Sequence, residues 1–416
     1  MKKSIQFPIN IAPSKGCYSL ELEIGSQKEP VKLLIDTGSS TLAFHASNYS
    51  PSDDKCLELT QYAQCVTYGK GGWAGPVLKS KVIYSNNTDS FEIPEVSFSI
   101  VSDQQENSFQ GLDGVMGLAY HHLNNAYDLS SYYEKNNQGQ KTYPWGFSTE
   151  IDKSGIPVFK NFLRKYPKKD ITPLFSAFEQ KNISLNKFTL LTHRSVVHVP
   201  TANMTQNQKE EEVLNKGLFI IGEVESDSAI FNGKCKNVKV LHDAYYNTNL
   251  LSVQVEGYDA IQAPSLDSGH LDSFFTNSII DSGSSYLMLQ KKIYQYVIDS
   301  LNKINPKLVT FIDAFNLARK NNTPYSPADL NLQDWPKLYF TFEGSEEKQV
   351  TLCCQPDHYW QLDALSPNQV FFTLLSQIEK WPNQSIIGLP IISSYLCIFD
   401  RSAGSDGVIK FVDKKV

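Results

Sequence analysis

The sequence lacks any long apolar run. No stretch approaches the roughly 18 consecutive apolar residues that predict a membrane span, and the N-terminus, MKKSIQFPIN, has two lysines but no apolar segment long enough for a secretory leader. No membrane span is therefore expected, and the chain is either cytosolic or a form from which a leader has been removed. We expect the second, a secreted or lysosomal/vacuolar protein of the secretory pathway. Six Asn-x-Ser/Thr sequons agree with it, but several would arise by chance in so Asn-rich a chain: Asn48, Asn86, Asn182, Asn203, Asn321 and Asn383.

Runs of lysine and arginine are also missing. The formal net charge is −6, so nucleic acid and anionic membranes are not expected as partners. The eight histidines show no metal-ligand spacing, and the adjacent pair His121–His122 is interpreted as surface because neighbouring side chains point apart. No Ser-His-Asp or Cys-His constellation is present. We therefore expect no metal and no cofactor.

The seven cysteines do not form a metal-binding pattern. Cys56 and Cys65 lie close enough in sequence to close a small disulfide loop, worth roughly 2–3 kcal/mol if it forms. The odd total leaves at least one cysteine free or paired outside the chain. Buried thiols are the alternative for the other five, whose pairing is not determined by sequence: Cys17, Cys235, Cys353, Cys354 and Cys397.

What is present is a series of short β-rich segments separated by turn residues. Alternating apolar positions, as in Tyr18, Leu20, Leu22 and Ile24, predict half-buried antiparallel strands. Two segments predict helices, PVFKNFLRKY (157–166) and KKIYQYVIDSLNKI (291–304). We therefore predict a mainly β protein. The strand-like segments are CYSLELEIG, VKLLID, KVIYS, EIPEVSFSIV, GLFIIGEV, LLSVQVEG, KLYFTFEG and GVIKFV.

An internal repeat organises the chain. The segment LLIDTGSSTLAF (33–44) returns as SIIDSGSSYLML (278–289), and DGVMGLAY (113–120) has a counterpart in SIIGLPII (385–392). Each half thus contains an acid on a Gly-bearing turn, followed later by two apolar residues and Gly. We predict two copies of one lobe, an N-terminal lobe of residues 1–180 and a C-terminal lobe of residues 181–416.

The repeated acids suggest a chemistry. Asp36 and Asp281 each follow a buried strand, and a pseudo-twofold arrangement of the lobes would bring the carboxylates together. Because two like charges at short distance do not both ionise cheaply, such a pair shares one proton. One carboxylate then acts as general base towards water while the other, protonated, donates to a substrate carbonyl.

The neighbours of these acids suit that use. We predict that Thr37 and Ser282 brace the two turns across the lobe interface. Gly38 and Gly283 allow close backbone approach, and Ser39 and Ser284 are predicted to bond the outer carboxylate oxygens. A third match, Asp267-Ser268-Gly269, lacks the apolar run before it and is interpreted as a surface loop.

The segment CVTYGKGGWAG (65–75) predicts a β-hairpin with a mobile, Gly-rich tip. A hairpin of this kind is suited to cover a cleft, and we assign Tyr68, Gly69 and Trp73 to a substrate-binding flap. The alternative, which the segment alone does not exclude, is an aromatic cross-strand pair that stabilises an ordinary hairpin.

In these motifs and in their order, the chain resembles the pepsin-type aspartic proteases from about Cys17 to its C-terminus. The resemblance implies a bilobal all-β fold, Asp36 and Asp281 as the catalytic pair, and Tyr68 as the flap tyrosine. Cys56 and Cys65 fall where pepsins have a small disulfide loop. The motifs that carry the resemblance are IDTGSS (35–40), VTYGKGGWAG (66–75), GLDGVMGLAY (111–120), PVFKNF, PLFSAFEQ, LFIIGEV (218–224), IIDSGSSYL (279–287) and SIIGLPII…CIFDR (385–401).

Three departures qualify the resemblance. Ala43 stands where many pepsins have Trp, SIIGLPII lacks the acid that commonly follows its Gly, and Trp73 is more similar to the memapsin (β-secretase) branch. The family is usually made as a zymogen, and no prosegment is recognisable before Cys17, so we expect that it has been trimmed.

The expected function is that of a monomeric acid endopeptidase acting on extended polypeptides, and the resemblance implies apolar or aromatic side chains beside the scissile bond. A two-carboxylate glycosidase is one alternative, although it does not need its acids on duplicated Gly turns. A binding protein that has lost catalysis on the same fold is the other.

Overall fold

The computed structural model describes residues 4–14, 16–47, 49–68, 71–86, 89–106, 108–136, 139, 141–180, 186–271, 273–379 and 381–414. Within these residues the protein is mostly β, and the chain forms two compact units. The first comprises Met1–Ile5 and Ser19–Ser184, and the second comprises Gln6–Tyr18 and Leu185–Val416. No described helix is both long and apolar enough to cross a membrane.

The first unit is built around a ring of strands. After β1 (Ser4–Asn10), its strands are β2 (Ser19–Ile24), β3 (Glu29–Asp36), β4 (Leu42–His45), β5 (Glu58–Thr67), β6 (Gly72–Ser85), β7 (Ser90–Val101), β8 (Asp103–Gln105), β9 (Gly114–Gly117), β10 (Asn125–Asp128) and β11 (Lys168–Asp170). The pairing order is β11-β10-β5-β6-β7-β4-β9-β3-β2, and β2 also pairs with β6, which closes a barrel. Helices α1 (Ser130–Lys135), α2 (Ser148–Ser154), α3 (Ile156–Leu163) and α4 (Leu174–Gln180) complete the unit.

The second unit contains four sheets. Its strands are β12 (Lys187–Leu191), β13 (Lys216–Gly222), β14 (Cys235–Lys239), β15 (Asn247–Thr248), β16 (Leu250–Val255), β17 (Ile261–Gln262), β18 (Ser278–Ile280), β19 (Leu287–Leu289), β20 (Leu338–Glu343), β21 (Gln349–Cys354), β22 (Trp360–Gln361), β23 (Phe371–Phe372), β24 (Leu374–Ser376), β25 (Ser385–Ile387), β26 (Tyr395–Asp400) and β27 (Val408–Asp413). The sheet orders are β1-β13-β12-β26-β27-β14, β15-β18-β25-β19-β24, β17-β16-β20-β21 and β22-β23. The helices are α5 (Gln206–Glu211), α6 (Lys291–Ile304), α7 (Pro306–Lys320), α8 (Pro356–Tyr359) and α9 (Leu389–Ile392).

The two acid-bearing segments have the same local topology. In the first unit β9 lies parallel to β3 and antiparallel to β4, with Asp36 opposite Gly117. In the second unit β25 lies parallel to β18 and antiparallel to β19. The apolar–apolar–Gly segment of each repeat is therefore the strand that lies between the two strands flanking the acid turn.

The glycine of each such segment has a steric reason. A Cβ atom on Gly117 would lie 2.5 Å from backbone atoms of Ser40, and a Cβ atom on Gly388 would overlap with the carbonyl oxygens of Tyr286 and Ser284. Contacts this short between heavy atoms are repulsive, so only glycine fits at either position. The repeat in the sequence therefore reflects a repeated packing requirement.

All eight predicted strand segments and both predicted helices are present, which confirms the mainly β fold class. One long helix, α7, was not predicted. Its signals were in the sequence: Asn305 accepts a bond from the Lys307 amide at 3.0 Å as N-cap and Pro306 occupies the first turn. The buried residues recur at helical spacing, at Leu308, Phe311, Ile312 and Phe315.

Candidate active site

Asp36 is the last residue of β3 and is buried. Its Oδ1 accepts a hydrogen bond from the Gly38 amide at 2.7 Å, and its Oδ2 accepts one from the Ser39 hydroxyl at 2.5 Å. Its own carbonyl oxygen accepts from the Leu118 amide at 2.6 Å, which ties the turn to the residue after β9. These bonds compensate the burial of a carboxylate and hold it in one orientation.

Asp281 directly follows β18 and is partly exposed. Its amide donates to the Ile387 carbonyl at 3.0 Å, and its Oδ1 accepts from the Gly283 amide at 2.8 Å. The bond from the amide two residues onward is thus common to both acid turns.

The hydroxyls that follow the glycines behave differently in the two turns. Ser39 donates to the Asp36 carboxylate, whereas Ser284 donates to the Tyr286 carbonyl at 3.1 Å, so its proton is engaged within its own turn. The Ser284 amide lies 3.3 Å from the Asp281 carbonyl oxygen. Thr37 and Ser282, the residues beside the acids, are both buried.

The pairing of Asp36 with Asp281 concerns the two units together, since Asp36 belongs to the first unit and Asp281 to the second. It stays a prediction, and so does the bracing of the turns by Thr37 and Ser282. Within each unit, the structure brings the amide two residues onward to the acid, and in the first unit it also brings the Ser39 hydroxyl.

The predicted hairpin is formed by β5 and β6. Val66 pairs with Trp73 and Thr67 with Gly72, and the Tyr68 amide donates to the Gly71 carbonyl at 3.2 Å. Gly69, which we assigned to the flap, lies outside the described residues. The strand pairing therefore ends immediately before Tyr68, as expected for a residue at a hairpin tip.

Tyr68 and Trp73 are linked by a hydrogen bond from the buried indole N–H to the Tyr68 hydroxyl, at 3.0 Å. They do not occupy paired positions in the strand register, so this bond, rather than a cross-strand pair, connects them. Burial raises the pKa of the Tyr68 phenol above 10.0, the bond from Trp73 opposes the rise, and the charge of Asp36 adds to it. Tyr68 is therefore a neutral group within electrostatic range of Asp36.

The predicted Cys56–Cys65 disulfide is wrong. Cys56 and Cys65 are both free thiols, the first exposed and the second buried. The reason is geometric: Cys56 precedes β5 and Cys65 lies near its other end, so the extended strand separates them by roughly 20 Å at about 3.3 Å per residue. A disulfide requires Cα atoms within about 7 Å.

Cys65 instead belongs to the apolar core. It packs with residues of α2 and α3, among them Ile151, Ile156 and Phe159, and its thiol lies 3.7 Å from the Ile156 carbonyl oxygen. Burial raises the pKa of the Cys65 thiol to about 12. It is thus a structural, unreactive cysteine.

Two further predictions from the sequence concern the third Asp-Ser-Gly triplet and the adjacent histidines. Asp267-Ser268-Gly269 lies in an exposed 3₁₀ turn, as predicted for a surface loop. The rings of His121 and His122 do not point apart, because their centroids lie 3.9 Å from one another in a 3₁₀ turn. His121 is exposed and His122 is half-buried.

One neighbour of the Asp281 turn was missed by the sequence analysis. The Cys17 thiol lies 3.3 Å from the carbonyl oxygen of Gly283, and the Ser285 hydroxyl donates to the carbonyl of Gly16. No sequence pattern links residues this far apart, and we find no signal that could have predicted the contact.

Comparison with known families yields one match across most of the chain. The family described as "Eukaryotic aspartyl protease" matches residues 17–143 and 175–408, which contain both acid turns and the hairpin. Among curated proteins, a protein named "Beta-secretase" from Strongylocentrotus purpuratus is 21% identical over 413 residues. The alignment covers 94% of this chain but only 65% of that relative's length.

Proposed function

This chain belongs to the eukaryotic aspartyl protease family, and on that basis we propose that it is an endopeptidase that hydrolyses peptide bonds at acid pH. Asp36 and Asp281 are the catalytic pair and share one proton, the arrangement for which aspartic proteases are the standard example. The ionised carboxylate removes a proton from water, and the protonated one donates to the carbonyl oxygen of the scissile bond. Since the pair titrates as a unit, its apparent pKa values belong to both residues together.

The observation that carries this proposal is the repeated acid turn. In each unit a carboxylate lies at the end of a buried strand and accepts from the amide two residues onward, and the same three-strand arrangement surrounds it. An acid needed only as a turn former does not require this arrangement twice. The duplication is what a two-carboxylate mechanism on matched turns would use.

The surrounding residues have supporting roles in the proposal. The Ser39 hydroxyl stabilises the Asp36 carboxylate directly, while Ser284 shapes the Asp281 turn through its backbone and through its bond to Tyr286. Thr37 and Ser282 brace the two turns against each other. Gly38 and Gly283 supply the amide donors.

The hairpin is proposed to act as the flap. Tyr68, at its tip, covers the bound substrate, and Trp73 orients the Tyr68 hydroxyl through the indole bond. Closing such a lid excludes water from the reacting groups and positions the peptide. Gly69 is proposed as a further residue of the flap.

The substrates are proposed to be extended polypeptides with apolar side chains next to the cleaved bond, bound by a monomeric enzyme without a cofactor.

The proposed compartment is the secretory pathway, ending in secretion or in a lysosome or vacuole. Three sequons lie at exposed positions: Asn86, Asn203 and Asn321. Asn383 is half-buried and donates to the Ser265 carbonyl at 2.8 Å, and two sequons lie outside the described residues, Asn48 and Asn182. A glycosidase-sensitive mass on the exposed sites of the native protein would support this compartment.

The decisive test is digestion of denatured globin over a pH series, with and without a statine-type inhibitor. We expect inhibitor-sensitive cleavage at acid pH that Asp281→Asn abolishes while the circular dichroism spectrum is unchanged. Asp267→Asn is the matched control, since Asp267 begins the same Asp-Ser-Gly triplet on an exposed turn, and it should cleave like the wild type. Cleavage peaking above neutral pH, or retained in Asp281→Asn, contradicts the proposal, and no cleavage at any pH favours a binding protein.

A further inference from the structure

We propose that the thiol of Cys17 is a positioning residue for the Asp281 turn, an inference that rests on the catalytic role proposed for Asp281. The thiol donates a hydrogen bond to the Gly283 carbonyl oxygen at 3.3 Å. The amide of the same glycine donates to the Asp281 carboxylate at 2.8 Å. The carbonyl oxygen of Gly283 is therefore bound by the Cys17 thiol, while the amide of the same residue is bound to the Asp281 carboxylate.

The thiol is presented by a short turn that the Ser14 hydroxyl organises. This hydroxyl donates to the Cys17 carbonyl at 2.6 Å and accepts from the amides of Cys17, at 2.8 Å, and Gly16, at 3.2 Å. Ser14, Gly16 and Cys17, the N-terminal turn of the second unit, are all buried. These bonds, made in a buried setting, hold the backbone of Gly16 and Cys17 against Ser14 and so place the Cys17 side chain.

The residue that follows this turn is anchored independently. The Tyr18 hydroxyl accepts from the amides of His193 at 2.9 Å and Arg194 at 3.2 Å. Burial raises the pKa of Tyr18 to about 12, so the phenol keeps its proton over the working range of an acid protease. The backbone at Cys17 is therefore held on one side by the bonds of Ser14 and on the other by the bonds of Tyr18.

A second bond joins the N-terminal turn to the acid turn. The Ser285 hydroxyl donates to the Gly16 carbonyl oxygen. A Cβ atom on Gly16 would overlap with that hydroxyl and would lie 3.2 Å from the Ser195 carbonyl oxygen. A side chain at Gly16 would therefore displace the Ser285 hydroxyl from this bond, and the two turns form one packed unit.

The physical consequence concerns the orientation of Gly283. A glycine without a side chain rotates more easily about φ and ψ than other residues. The Gly283 carbonyl belongs to the peptide group shared with Ser284, so losing its donor leaves φ and ψ of Gly283 less restrained, and the preceding peptide group, which carries the Gly283 amide, is then free to turn. The Gly283 amide would then aim less well at Asp281, and the ionised carboxylate would be less stabilised. The expected effect is on the chemical step rather than on the binding of the substrate.

The test compares Cys17→Ala with Cys17→Ser, which keeps a hydrogen-bond donor at the same position. We expect Cys17→Ala to lower kcat by about three- to tenfold, the range of one ordinary hydrogen bond, with an unchanged KM. The acid limb of its pH profile should shift to higher pH, and Cys17→Ser should restore most of both. Cys65→Ala is the matched control, since it also removes a buried thiol that lies against a backbone carbonyl, and its kcat should equal that of the wild type.

Hydrogen–deuterium exchange of the peptide spanning residues 278–289 gives a readout that does not require activity. Cys17→Ala should exchange faster there than the wild type, and Cys65→Ala should not.

Should Cys17→Ala fail to fold, Ser285→Ala removes the other bond between the two turns and is expected to act in the same direction. If the wild type shows no inhibitor-sensitive cleavage, the proposed function fails, while exchange still tests the contact. This inference, but not the proposed function, would be overturned if Cys17→Ala and Ser285→Ala both kept the kcat, the pH profile and the exchange rate of the wild type. It would also be overturned if Cys65→Ala lost as much kcat as Cys17→Ala.

Discussion

The indole N–H of Trp73 donates a hydrogen bond to the Tyr68 hydroxyl, and the two atoms lie 3.0 Å apart. The donor is fully buried at the base of the hairpin tip, and the acceptor lies at the point where strand pairing ends. A buried side chain thus determines the direction of a residue proposed to cover the substrate.

Replacing Trp73 by Phe removes the donor and keeps an aromatic ring. We expect kcat/KM on a peptide substrate to fall by about three- to tenfold, the effect of one hydrogen bond. A double-mutant cycle with Tyr68→Phe checks the cause, because the second change should then add little to the first. Fully additive losses would show that the two residues act separately.

Asp54 is predicted to be a major stabilising residue of the first unit. It is buried, and its carboxylate accepts from the hydroxyls of Tyr49 (2.8 Å) and Ser80 (2.5 Å) and from the amides of Ser26 (2.8 Å) and Cys56 (2.9 Å). Asp54→Ala leaves four donors without this acceptor, and we expect about 3 kcal/mol less free energy of unfolding.

Chemical denaturation of Asp54→Ala measures this loss, and Asp53→Ala is the control. Asp53 is exposed, so its replacement should change stability by less than about 0.5 kcal/mol. Equal stability of the two variants would contradict the role given to Asp54.

The seven free cysteines predict the response to reducing agents. Because no disulfide joins them in the structure, a reductant should leave the thermal midpoint unchanged. A thiol assay on the unreduced, denatured protein should detect seven groups. A count of five thiols, together with a thermal midpoint that falls on reduction, would show that a disulfide forms and would contradict the structure.

Stability should depend on pH through two histidines of the second unit. Burial is the main reason why the pKa of His193 and that of His358 are both lowered to about 4. The positive charge of Lys414 lowers both pKa values further. At His358, Arg194 also lowers the pKa, while Asp357 opposes the shift. Both rings are therefore neutral in the folded protein at a pH where an unfolded histidine, with a pKa of 6.5, binds a proton. Their contribution to the free energy of unfolding falls as the pH decreases from 6.5 and is lost below about 4.

Equilibrium unfolding of the wild type and His358→Gln between pH 7 and pH 4 tests this sign. The variant should lose less stability over that interval than the wild type. His121→Gln, a change at an exposed position of the first unit, is the matched control. A steeper slope in His358→Gln would mean that the ring is protonated in the folded state.

Much of the fold was predictable because its signals are local. The strands β3 and β18 were marked by apolar runs that end in an acid, and β9 and β25 by two apolar residues and Gly. Helix α7 was missed although its cap and its spacing were present, since it lies in a segment of mixed polarity.

The error at Cys56 and Cys65 has a different origin. Closeness in sequence does not imply closeness in space when the residues between form an extended strand, and β5 extends over most of that interval. The family resemblance placed a disulfide loop here, while this chain folds the same segment as a strand against α3.

The sequence alone identified eight strand segments, two helices and the position of the two acid turns, since side-chain alternation and turn chemistry act over a few residues. Only the tertiary structure decided which donors reach each acid: Ser39 bonds Asp36, while Ser284 turns to Tyr286. It alone brought Cys17 to Gly283 across 266 positions. A hydrogen bond requires a donor–acceptor distance correct to a few tenths of an ångström and a suitable angle. Distant segments of a chain reach that geometry only when the whole unit packs.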